Sequence, residues 1–180
     1  IQPARGRWGH LTRVAWLQPA LPVRLLRDRA TALFCPVSEG MLLPVIPQAV
    51  VVHDLTPLRF PTFMPKLYYY FRYVVPILLS RSHAIITDSE STRRDLLTFY
   101  GVESSRIHVI FPGHDQNHYK QGIDPSTVKE KYQLGSYLLY VGNMLLHKNL
   151  HRLLNAFAIV SKNFTGRLVI AGRKDPRYYP

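Results

Sequence analysis

Cysteine is all but missing from this 180-residue chain. Cys35 is the only one, so no intrachain disulfide can form and a disulfide-stapled scaffold is excluded. Long apolar runs are missing too. No stretch of about 18 apolar residues occurs, so no transmembrane helix is expected. Acidic side chains are scarce, 11 against 23 Lys and Arg, which leaves a net charge of +12. The excess is spread over the chain, and no block of consecutive like charges makes a nucleic-acid arm. Internal repeats and low-complexity tracts are absent. The opening residues, from Ile1 to Arg5, carry neither an initiator Met nor a signal-peptide pattern and read as a cut inside a longer protein. What remains is globular material, 47% hydrophobic and 19% charged. Its positive field favours phosphate-bearing partners: nucleotide diphosphates, anionic lipid surfaces or RNA.

The pattern along the chain is that of a parallel α/β protein. Residues 13–35 read as a helical segment broken by Pro19 and Pro22, with Leu25, Leu26, Ala30 and Leu33 at helical spacing. Residues 48–53 form a nearly continuous β-branched run, the signature of a buried parallel strand. Pro57 and Pro61 then predict an irregular loop, and residues 65–81 an aromatic-rich helix that runs through Pro76. A second strand covers 84–87. Ser89 or Ser91 caps the next helix, which Gly101 closes, and a third strand covers 107–110. Residues 116–127 are polar and read as a linker. The pattern then restarts: strand 137–141, a turn at Gly142-Asn143, helix 149–160 and strand 168–172. The expected organisation is one domain over 1–115, an interdomain linker and lead-in over 116–136, and the start of a second domain over 137–180.

Ligands of open α/β sheets bind at the carboxyl ends of the strands, and three segments sit there. His53 and Asp54 end the first strand, where an imidazole can touch a sugar hydroxyl or stabilise charge. The alternative is a histidine whose ring bonds a backbone carbonyl and shapes the loop. Residues 141–149 place a glycine turn and Lys148 ahead of a helix start, and free N–H groups with a lysine make a diphosphate site. The glycine spacing fits neither a Walker A loop nor a dinucleotide fingerprint, and the alternative is a solvated lysine beside a helix cap. His147 and His151, four apart, have no third ligand beside them, so no metal is expected. Residues 88–95 offer Ser89 and Arg93 to an acceptor, against the alternative of a capped helix start with solvated arginines. The Tyr-rich helix suits an interfacial surface, or an amphipathic helix with Leu67, Tyr70, Phe71, Val74 and Leu78 on its packed face.

Taken in order, VVHDLTPLRFP, AIITDSESTRRDLL, YGVESSRIHVIFPGHD, YLLYVGNMLLHKNLHRLLNAFA and LVIAG resemble glycosyltransferase family 4. They are most similar to its mannosyltransferase-like group, which acts on lipid-linked or polysaccharide acceptors. The similarity covers about residues 44–176. It implies a GT-B architecture of two Rossmann-like parallel-sheet domains, both incomplete here, and a retaining hexosyltransferase that uses a nucleotide diphosphate sugar without a metal or other cofactor. His53 matches the strand-end histidine that faces the transferred sugar. Lys148 matches the lysine that neutralises the departing diphosphate. Gly142 and Asn143 match the donor turn, where many members carry arginine at the Asn143 position. Asp54, Ser89 and Arg93 fall on the acceptor side. The partners implied are a nucleotide sugar, a glycan or lipid-linked acceptor and an anionic membrane surface touched from the cytoplasmic side, with no nucleic acid. The family's glycine-rich loop and its C-terminal glutamate pair are not in this chain, so the fragment is expected to be inactive alone. A non-catalytic, basic surface-binding module on the same fold is the rival reading. An RNA-binding protein, argued only from charge and aromatics, is the third.

Overall fold

The β-branched run after Pro47 becomes the middle of a parallel sheet. The computed structural model describes residues 9–62, 64–122 and 124–173, and the chain divides into two units, Ile1–Gly113 and His114–Pro180. The first unit opens with helices α1 (Gly9–Leu17) and α2 (Ala20–Arg27). Four strands follow: β1 (Leu33–Cys35), β2 (Gln48–Val52), β3 (Ala84–Thr87) and β4 (Ile107–Val109). They lie in the order β1-β2-β3-β4, all parallel. The register aligns Cys35, Val50, Ile85 and Ile107 in one row across the sheet, and all four are buried. Leu55, Val75, Leu78, Leu79 and Leu96 complete the same cluster. Each such aliphatic side chain contributes roughly 1.5–3 kcal/mol when fully buried, so this row and its cover fix where the strands end.

Between the strands lie α3 (Thr56–Arg59), a long helix over 65–80 and α6 (Glu90–Tyr100). The long helix is regular in α4 (Pro65–Tyr69) and α5 (Val75–Ser80) but takes a wider π turn over Tyr70–Val74. Pro76 has no N–H to give the Arg72 carbonyl and its ring crowds that turn. The ladder slips by one, and the Val75 N–H donates to the Tyr70 carbonyl five residues back.

The second unit is smaller. Asp124 accepts from the Ser126 N–H at 2.9 Å and from its hydroxyl at 2.7 Å, which starts α7 (Ser126–Tyr132). Those bonds hold the Asp124 carboxyl below its usual range. Strands β5 (Tyr137–Val141) and β6 (Arg167–Ala171) pair in parallel over five residues, with α8 (Leu150–Val160) between them in sequence.

The parallel α/β class is as expected, and several elements correct the sequence reading. The helical segment at 13–35 stops at Arg27, because Arg29 takes a left-handed turn (φ 53°). Leu33 is therefore a strand residue, not a helical one. Pro22 lies inside the first turn of α2, where a missing N–H costs nothing. The stretch read as an irregular loop around Pro57 holds the short helix α3, and α7 starts at the end of the polar linker 116–127 and fills the lead-in that follows it. Strands β2, β3, β5 and β6, the closing Gly101 (φ 60°) and the Ser89 cap fall where the pattern puts them.

Candidate functional site

In the first unit the carboxyl ends of three adjacent strands meet at one imidazole. His53 is the first residue after β2. Its Nδ1 lies 3.1 Å from Oδ2 of Asp88, the first residue after β3. Its Nε2 lies 3.0 Å from the carbonyl oxygen of Pro36, the first residue after β1. A carboxylate and a carbonyl both accept only. A neutral imidazole has one N–H and can serve one of them, whereas the imidazolium donates to both. The ring is open to solvent, with a side chain 56% exposed.

The backbone around it is tied to α6. The Thr92 hydroxyl donates to the His53 carbonyl at 2.8 Å. The Thr92 N–H donates to Ser89 Oγ at 3.1 Å, which is the N-cap bond of that helix. Arg59 of α3 reaches Asp95 of α6 as a two-pronged pair, Nε to Oδ2 at 2.8 Å, so the helices that follow the two loops are joined as well.

Of the expected acceptor-side residues, Ser89 belongs to this hydrogen-bonded group and two do not. Asp54 accepts the Thr56 N–H at 2.8 Å and starts α3. Arg93 donates to Ser104 Oγ at 2.6 Å, ahead of β4, and sits 3.5 Å from Glu90. Asp88 and Thr92 are the members that sequence reasoning did not single out. A signal existed: Asp88 follows its strand as His53 follows β2. Only the register, which pairs Val52 with Thr87, shows that the two successors are neighbours. The alternative of a ring bonded to a backbone carbonyl is met at Pro36, and the ring also meets a carboxylate.

In the second unit the ends of β5 and β6 carry Gly142 and Gly172. The Gly142 N–H donates to the Ala171 carbonyl at 2.9 Å. A side chain at Gly172 would run into the Gly142 carbonyl, so only glycine lets the two loops lie this close. The Tyr140 hydroxyl donates to the Asn143 carbonyl at 3.3 Å and braces the turn. A single 3-10 turn, Leu146–Lys148, then leads to α8. Asn149 precedes α8 in the left-handed region (φ 58°), which asparagine tolerates, and makes no side-chain cap bond. Lys148 is exposed two residues ahead of the helix. The Arg152 and Leu153 N–H groups of α8 donate to the Asn149 carbonyl, which leaves those of Leu150 and His151 at the helix start, and the dipole adds partial positive charge there. A lysine and free N–H groups together suit an anion such as a diphosphate. His53 and Lys148 belong to different units.

Comparison with known proteins gives a family match that takes in the strand ends of the first unit and stops ahead of β5. The profile of Glycosyltransferase Family 4 matches residues 14–118, more than half of the chain. The O-antigen chain mannosyltransferase RfbU of Salmonella typhimurium is 26% identical over 129 residues. That alignment takes in 71% of this chain and 33% of the relative, so the chain spans about a third of that protein's length.

Proposed function

The chain belongs to glycosyltransferase family 4, and we propose that its parent protein is a retaining hexosyltransferase using a nucleotide diphosphate sugar. The transferred sugar is mannose-like, and the acceptor is a lipid-linked or polysaccharide glycan. The kinship with a mannosyltransferase of O-antigen chains supports both choices. One observation carries the chemistry. Lys148 stands exposed ahead of α8, on a loop that leaves the carboxyl end of a parallel strand through Gly142 and Asn143. There it holds the donor diphosphate with the opening N–H groups of the helix and meets the charge that grows as the leaving group departs, without a metal ion. His53 faces the transferred sugar, and Asp54, Ser89 and Arg93 lie on the acceptor side.

The test uses full-length protein and saturation-transfer NMR with GDP-mannose, UDP-glucose and UDP-N-acetylglucosamine. One nucleotide sugar should receive saturation, and Lys148→Ala should abolish it. Turnover of that donor should fall by about 10²- to 10³-fold, the scale of a lost transition-state donor. A Lys148→Ala protein with unchanged turnover would sink the assignment.

Asn143 favours a second reading, since a neutral amide stands where many members carry a cation. The parent is then a non-catalytic, basic surface-binding module on the same fold. A folded full-length protein that takes saturation from none of the three sugars decides for it.

A further inference from the structure

Three neighbouring strands hand their next residue to one ring. Pro36, His53 and Asp88 are the first residues past β1, β2 and β3. The register that pairs Cys35 with Val50 and Val52 with Thr87 brings these strand ends side by side, with His53 in the middle. The His53 side chain is 56% exposed, so packing alone does not hold the ring. Its orientation must come from hydrogen bonds.

We propose that Asp88 is a positioning residue for sugar transfer: its carboxylate holds the Nδ1–H of His53 and so sets the plane and tautomer of the ring. This rests on the reading of His53 as the sugar-facing histidine. Both partners only accept, and the charged carboxylate, 3.1 Å away, is the stronger acceptor of the two, so in the neutral ring it draws the hydrogen to Nδ1. Nε2 is left as the nitrogen whose role varies. Against the Pro36 carbonyl, at 3.0 Å, a protonated Nε2 donates. An unprotonated Nε2 turns a lone pair on that oxygen, a contact both atoms gain by leaving, and the lone pair is then available to a sugar hydroxyl. A ring without Asp88 has no reason to keep its hydrogen on Nδ1.

The carboxylate is separable from the fold. The two loops are tied independently of it, by the Thr92 hydroxyl on the His53 carbonyl, the Ser89 cap and the Arg59 pair with Asp95. Loss of the Asp88 side chain should therefore free the ring and leave the loops joined.

The experiment compares His53→Ala, Asp88→Ala, Asp88→Asn and the double variant His53→Ala/Asp88→Ala in the full-length protein. It reads the His53 ring ¹⁵N signals, identified by their loss in His53→Ala, together with turnover of GDP-mannose, UDP-glucose and UDP-N-acetylglucosamine. In Asp88→Ala the Nδ1–H signature should disappear and turnover should fall about 10- to 100-fold, the scale of losing a partner that orients a functional histidine. Asp88→Asn, which keeps an acceptor oxygen, should hold the signature and most of the turnover. The double variant should be no worse than His53→Ala alone, because Asp88 acts through the ring. An Nδ1–H signature that survives in Asp88→Ala overturns the proposal. So does a further loss of turnover when Asp88→Ala is added to His53→Ala. If His53→Ala keeps full turnover, or the wild type turns over none of the three donors, the sugar-facing reading of His53 fails first and this role goes with it. If His53→Ala is impaired and Asp88→Ala is not, only this proposal fails.

Discussion

Tyr70 shows how one side chain couples the fold to pH. It sits in the π turn, packs against the core and donates its hydroxyl to the Ser38 carbonyl at 2.9 Å. Burial, followed by the nearby Glu39 carboxylate, pushes its phenol up from 10.0 to about 12, with Arg13 opposing. In the unfolded chain the phenol releases its proton near its ordinary value, and in the folded chain it keeps that proton two units longer. Stability from this group is therefore complete below pH 10 and is lost between 10 and about 12. Solvent screening at the partly open ring holds the loss to roughly 1–2 kcal/mol. Tyr100 is shifted in the same direction by its own burial and reinforces the slope. Tyr70→Phe should lower stability by about 1 kcal/mol at neutral pH, for the lost hydrogen bond, and should then fall less steeply above pH 10. Denaturant midpoints of the two proteins across that window check this, and parallel curves would refute it. His53 is a contrasting case. Its place at a strand end is legible in the sequence, while its two partners come from other strands and depend on register.

Elements form where local chemistry and tertiary contacts agree. Ser89 is such a place: extended backbone (φ −155°, ψ 152°), a side chain accepting the Thr92 N–H, and an acidic Glu90 in the first turn. Ser89→Ala should cost about 1 kcal/mol of stability, and Ser89→Gly only a few tenths, because glycine leaves the N–H groups open to water. Equal losses for the two would mean that Ser89 acts through something other than its cap. Valines and isoleucines in short runs mark β2 and β3 because a parallel strand is covered on both faces. β1 has three residues, one of them 60% exposed Phe34, which is too short and too open for any period to show. α7 was hidden because STVKEKY has no buried residue and so carries no apolar stripe. The π turn needed Pro76 to be weighed for the carbonyl it deprives, because the helix itself runs on through it to Ser80. In the second unit Leu139 and Val141 are 56% and 71% exposed. The strand pattern was legible there although the described residues supply little to cover it.

Across the whole molecule the sign of the charge is the property to explain, because +12 on 180 residues works against compactness through self-repulsion. The phosphate-bearing donor proposed above would have use for such a field, and the proposed lipid-linked acceptor would add an anionic surface. The Tyr-rich helix supplies a matching face in the first unit. Tyr69, Tyr73 and Ile77 follow each other at four-residue spacing and are 62%, 62% and 47% exposed, the two tyrosine rings stacked 6.4 Å apart. Lys66 and Arg72 are exposed on the same helix. Aromatic rings with apolar bodies and polar tips suit the headgroup layer, and each Lys or Arg near an anionic surface contributes about 1 kcal/mol. None of the described helices is long and apolar enough to cross a membrane, and the contact we propose is one of this helix face with the headgroup layer. The full-length protein should sediment with vesicles containing phosphatidylserine at low salt, stay in solution with vesicles of phosphatidylcholine alone, and leave the anionic vesicles as salt shortens the Debye length from about 30 Å at 0.01 M to about 8 Å at 0.15 M. Lys66→Glu with Arg72→Glu should weaken the retained fraction several-fold, whereas the same change at Lys129 and Lys131 in α7 should matter less, because among the described residues that pair is accompanied by a single exposed ring, Tyr132 beneath Lys131, and not by a stacked pair. Retention that ignores both lipid charge and salt would assign the positive field to the nucleotide donor alone.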